Sequence, residues 1–134
     1  KQIVFTCKDI KPDAIKNKSA GKIIEMIERN NFEIKNIKMI KFTKKNAELF
    51  YKIHEDKKFY ESLCNFMSSG PSIIMLIYKK NAIEDFRKLI GSTNPSTALD
   101  ETIRKKFGTS IEENAIHGSD SEKNSNEEYK ILFN

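Results

Sequence analysis

The chain has 134 residues, of which 38% are hydrophobic and 32% charged. That length suits one domain, residues 1–134, with a single core needing no disulfide or metal staple, and the composition excludes a disordered chain. Its 24 Lys and Arg against 19 Asp and Glu leave a net charge of +5, which suits anionic partners without choosing between nucleotides and nucleic acid.

Other classes are excluded by what the sequence lacks. The longest apolar run, Ile73 to Tyr78, is roughly a third of a membrane span. Cys7 and Cys64 have no metal-ligand spacing and read as small buried thiols of a reducing compartment. No secretory leader is recognised, so a cytoplasmic location is expected.

Ile3-Val4-Phe5-Thr6-Cys7 reads as a buried strand from its β-branched and aromatic content. Pro12 cannot donate to a sheet ladder, so the strand ends near Lys11 and delivers that lysine at its end. Lys8-Asp9 places two charges in this strand; Asp9 is expected to pair with a lysine or to mark a bulge. Ser19 is the expected N-cap of a helix carrying Ala20, Ile23, Ile24, Ile27 and Asn31 at helical spacing. Phe32 to Phe42 reads as a second strand. Thr43 opens a helix with Ala47, Phe50, Tyr51 and His54 on one face. Asp56 is expected to cap the next, turning Phe59, Leu63, Phe66 and Met67 inward.

Ser68-Ser69-Gly70-Pro71 ends that helix. Ser72 to Tyr78 is then almost continuously apolar, as a central strand should be. Asn81 to Glu84 has capping-box spacing and opens a helix with Ile83, Phe86 and Ile90 on its apolar side and Arg87 at the border. Gly91 to Phe107 reads as polar loop, with a short helix from Asp100. A strand follows at Ala115 to His117. Ser125 to Glu128 caps the last helix. Without its extra helices the order is βαββαβ. The fold class is therefore α+β and ferredoxin-like: a four-stranded antiparallel sheet with surrounding helices, packed on one face of it.

The chemistry centres on Asn114-Ala115-Ile116-His117-Gly118-Ser119-Asp120-Ser121. Gly118 allows a sharp turn, so the imidazole stands at a strand end, where open sheets place ligands. Imidazole is a nucleophile able to carry a covalent group. A lone histidine is more often a packed side chain, and lone lysines and arginines are more often solvated. With only His54 and His117, and no paired cysteines, no protein metal site is expected.

The eight-residue string matches every fixed position of N-x-x-H-G-S-D-S, and with Ile10-Lys11-Pro12-Asp13-Ala14 it resembles the nucleoside diphosphate kinases from Lys11 to Glu128. The resemblance implies the fold already read and a ping-pong reaction. His117 would take the γ-phosphoryl group of a nucleoside triphosphate and pass it to a nucleoside diphosphate. Lys11, Tyr51, Arg87, Thr93 and Arg104 would bind the phosphates. Asn114 and Lys11 would touch the ribose, and Phe59 and Ile111 would sandwich the base. Ser119 and Glu128 would orient the imidazole. Mg2+ would arrive on the nucleotide. A homo-oligomer is implied, a hexamer or a tetramer. Two departures stand out: charges at Lys8-Asp9, and Asp100-Glu101 in place of a Pro-Gly pair. An RNA-recognition module shares the βαββαβ order, but Ser72 to Tyr78 has aliphatics where stacking rings belong, so nucleic acid is not an expected partner. A member of the family without catalysis is disfavoured because every matched position is intact.

Overall fold

The computed structural model describes residues 3–118 and 122–132. Four strands form one sheet: β1 (Ile3–Ile10), β2 (Glu33–Lys41), β3 (Pro71–Lys80) and β4 (Ile116–Gly118), in the order β2-β3-β1-β4 and antiparallel throughout. β3 is paired on both edges, as its unbroken apolar run requires. Ile73, Met75 and Ile77 point to one face and Ile74 to the other, following the two-residue period of a strand.

The helices are α1 (Pro12–Lys16), α2 (Ala20–Arg29), α3 (Lys44–Phe50), α4 (Tyr60–Met67), α5 (Ala82–Ile90), α6 (Ile103–Phe107) and α7 (Glu122–Leu132). They cover both faces of the sheet, not one. Ile23 and Ile27 of α2 and Phe86 of α5 pack with Met75 and Ile77; Phe32 meets Phe86 edge-on at 5.3 Å. On the other face, Ala47 and Phe50 of α3 and Leu63, Cys64 and Met67 of α4 pack with Ile74. The extra helices, set aside in reducing the order to βαββαβ, thus build a second apolar layer.

Several local expectations are corrected. Asp56 caps nothing: a 3-10 turn at Lys52–His54 carries the chain on, and α4 begins at Tyr60 with Phe59 as its N-cap residue. Phe59 is 50% exposed instead of inward. The capping box at Asn81 does not form, because Asn81 adopts a left-handed turn with φ 64° that takes its side chain away from the helix amides. Ser19 precedes α2 without a side-chain bond to it. The helix expected from Asp100 begins at Ile103, where the Thr102 hydroxyl accepts from the Lys105 amide. α7 is already under way at Glu122, before Ser125. Thr43 does cap α3, accepting from the Asn46 amide at 3.0 Å.

Asp9 neither bulges nor pairs as expected. β1 runs in unbroken register against β3 from Ile3 to Ile10, and the irregularity lies in β2 between Ile34 and Asn36. Asp9 is buried, and the Ser72 hydroxyl is the side chain placed to bond its carboxyl.

Candidate active site

The chain turns into β4 through Ala115, which holds φ 77°, a conformation costly for any residue with a Cβ. Two groups from the start of α1 hold it there. The Lys11 amide donates to the Ala115 carbonyl at 2.9 Å, and the Ala115 amide donates to the Asp13 carboxylate at 3.0 Å. The two sequence strings are therefore one structural unit, and His117 is presented two residues beyond it.

The His117 ring is packed edge-on against Phe50 and Tyr51, with centroids 5.3 and 5.8 Å away. Its Nε2 lies 3.0 Å from Glu128 Oε2. An ionised carboxylate can only accept, so Nε2 is the donor of this pair, and whenever the ring is neutral the lone pair is on Nδ1. The side chain is 24% exposed and opens into a cleft of about 1330 Å³.

All the sequence-identified site residues that fall in the described part of the chain line this cleft: Lys11, Tyr51, Phe59, Arg87, Thr93, Arg104, Ile111, Asn114, His117 and Glu128. Ser119 lies outside the described residues. Lys11 is buried, and its ammonium donates to the Glu112 carbonyl at 2.7 Å and to Asn114 Oδ1 at 3.0 Å. Arg104 is also buried; it donates to the Gly91 carbonyl at 3.1 Å and the Ile116 carbonyl at 2.9 Å. These partners are neutral oxygens. They fix each cation without cancelling its charge. Burial pulls Lys11 from 10.5 down to about 8 and Arg104 down to about 10, since a low dielectric disfavours the charged form. Arg104 Nε and the Tyr51 hydroxyl are buried donors with no partner. Positive charge and unsatisfied donors therefore converge beside His117, and an anion would satisfy both.

Gly91 is needed for the Arg104 contact. It holds φ 87°, and a Cβ there would come within 2.6 Å of Thr102. Asn114 donates to the Thr93 carbonyl at 3.0 Å while accepting from Lys11, so it ties the loop to the β1 end. Arg87 and Thr93 are exposed on the cleft wall. At the mouth, Phe59 and Ile111 are 50% and 60% exposed, and His54 lies 5.6 Å from the Phe59 ring. Exposed apolar side chains at the mouth of a cleft are a common mark of ligand contact. Asp13, Phe50 and Glu112 were missed as site residues. Asp13 stands within the sequence string that drew attention to Lys11, but its tie to Ala115 spans residues 102 positions apart.

Among the described residues no three His, Cys, Asp or Glu side chains gather to hold a metal, and no helix is long and apolar enough to cross a membrane.

The family model for nucleoside diphosphate kinase matches residues 5–134. A nucleoside diphosphate kinase of Geobacter sp. (strain M21) is 47% identical over 125 residues, covering 93% of this chain and 91% of that protein. One from Methanocaldococcus jannaschii is 48% identical over 124 residues, covering 92% and 89%. The solved Aquifex aeolicus nucleoside diphosphate kinase superposes with a TM-score of 0.96 at 34% identity, covering 99% of this chain and 96% of that one. The Halobacterium salinarum enzyme, solved in complex with CDP, gives 0.94 at 30% identity, covering 99% and 89%. With its sheet, its cleft and its sequence agreeing, this chain belongs to the nucleoside diphosphate kinase family, the phosphotransferases that move a γ-phosphoryl group from a nucleoside triphosphate to a nucleoside diphosphate.

Proposed function

We propose that residues 1–134 act as one catalytic domain, and that the reaction runs through a phosphohistidine at His117. The observation that carries this is the Glu128 contact at Nε2, which leaves Nδ1 as the nucleophile at the cleft floor. Nδ1 attacks the γ-phosphorus. The N–P bond forms as the bond to the bridging oxygen breaks, and the electron pair leaves with the nucleoside diphosphate. A second diphosphate then enters the same cleft and takes the phosphoryl group. Transfer of this kind needs little beyond positioning and charge neutralisation. Lys11, Arg87 and Arg104 supply the charge, and Thr93 and Tyr51 supply hydroxyl donors. Glu128 steadies the ring, with Ser119 assigned the same task. Asn114 and Lys11 serve the ribose. Phe59 and Ile111 hold the base between them, a clamp that tolerates any base.

The diphosphate nucleotide seen with the Halobacterium salinarum relative supports this occupant. The cleft's buried cations fit phosphates, and its donor set fits a Mg2+ that arrives on the nucleotide and not in a protein cage. Such an ion neutralises phosphate charge when bound. A cytoplasmic homo-oligomer, hexamer or tetramer, completes the reading.

The test is intact-protein mass spectrometry after exposure to ATP and magnesium. One acid-labile phosphoryl adduct is expected, lost on adding GDP and absent in His117→Gln. An adduct that persists in this variant moves the nucleophile elsewhere.

A further inference from the structure

Asp9 has no part in the transfer just described, yet the active site surrounds it. It is 1% exposed on β1, paired across the ladder with Ile74 of β3 on one side and His117 of β4 on the other. Residues so paired share a sheet face, with Cβ atoms about 5 Å apart. The Ser72 hydroxyl, which has no other partner, is the side chain placed to bond its carboxyl, and a buried polar group left otherwise unpaired calls for a reason. The groups that face it are His117 from β4, Lys11 from the end of its own strand, Glu128 from α7, Tyr51 from the end of α3 and the Ser72 hydroxyl from β3. Burial raises the carboxyl from 3.8 to about 7, while a positive charge on the His117 ring, and Lys11, pull the other way. In the resting site it therefore keeps a proton up to near neutrality and avoids burying a charge.

Phosphorylation changes what stands beside it. On the reading above, Nδ1 commits its lone pair to phosphorus while Nε2 keeps its hydrogen on Glu128. The ring then carries a positive charge. We infer that Asp9 is a positioning residue acting through His117: neutral beside the resting imidazole, it releases its proton to solvent and becomes a counter-ion of the phosphorylated ring. The phosphoryl charges lie on the cleft side, offset by Lys11, Arg87 and Arg104. Carboxyl and ring share the buried layer, where charges interact most strongly.

A proton released on phosphorylation means that rising pH favours the phosphoenzyme. The experiment fixes the ATP to ADP ratio with magnesium and reads the phosphorylated fraction by intact mass from about pH 6 to about pH 8.5. The native protein is compared with Asp9→Asn and with Asp9→Val, which suits a strand if the amide does not fold. Thermal midpoints verify folding. The native equilibrium constant should climb about tenfold more than that of either variant, the equivalent of moving one carboxyl by one pH unit. Parallel curves overturn the counter-ion role while leaving phosphorylation of His117 intact. A native curve that falls relative to the variants also overturns it, because the phosphoryl charge then dominates. No adduct in the native protein removes this inference and the reading beneath it together.

Discussion

Arg104 and Lys11 show how single residues divide structural and chemical work. Arg104 spends two guanidinium nitrogens on the Gly91 and Ile116 carbonyls and keeps Nε unbonded. Arg104→Ala should therefore lower turnover by roughly a hundredfold or more with the helix and strand content retained in circular dichroism. Normal turnover would remove this residue from the phosphate clamp. Lys11 loses its charge as pH rises through about 8, so nucleotide KM should rise above that point in the native enzyme and stay flat in Lys11→Gln. Asp9 carries a stability prediction of its own. Its carboxyl holds a proton to about pH 7 when folded, against 3.8 for the ordinary group. The unfolded chain therefore ionises first, and the native state loses stability as pH rises from about 4 to about 7, by up to about 4 kcal/mol. The gain in unfolding free energy from Asp9→Asn should be small at pH 4 and full at pH 8, as read in urea titrations. A gain independent of pH would mean that packing, and not charge, sets the cost.

At the scale of elements, the cleft is made where segment ends meet. Lys11 and His117 stand at the ends of β1 and β4, and Arg104 stands in α6 beside Gly91 at the end of α5. Short elements suffice because cross-links hold them: Asp13 to Ala115, Asn114 to Thr93, Ser62 to Glu112. Removing the first, with Asp13→Ala, leaves a buried amide unpaired and should cost about 1–3 kcal/mol, with turnover falling alongside. The turn before α4 sets Phe59 at the cleft mouth. Phe59→Ala should weaken purine and pyrimidine nucleotides alike, raising KM by roughly fivefold to a hundredfold. A loss confined to one base would point to hydrogen-bonded recognition.

At the scale of the whole molecule, the strands were legible because the middle of β3, Ile73 to Tyr78, is apolar and Ile3 to Cys7 is rich in β-branched and aromatic residues. The candidate cleft was legible in part from two short strings, Ile10 to Ala14 and Asn114 to Ser121; its other lining residues, Tyr51, Phe59, Arg87, Thr93, Arg104, Ile111 and Glu128, are scattered along the chain and were reached only through resemblance. What escaped was set by distant partners. Asp9 takes its properties from four other segments, which no local pattern shows. The failed caps at Asn81 and Asp56 depend on turn geometry, and the second helical layer depends on which face α3 and α4 choose. Met39 and Leu99, 60% and 80% exposed and outside the cleft lining, are large apolar side chains left at the surface. With the proposed assembly, sedimentation should return four or six chains; a monomer would refute it. Finally, the backbone at Ala115 has a consequence for sequence change. Its left-handed angle and full burial leave glycine as the replacement that relieves strain, while Val, Ile and Thr add bulk at the worst angle. A saturation library selected for growth on this enzyme should accordingly keep Gly at position 115 and purge the branched residues, although none of them would touch a nucleotide.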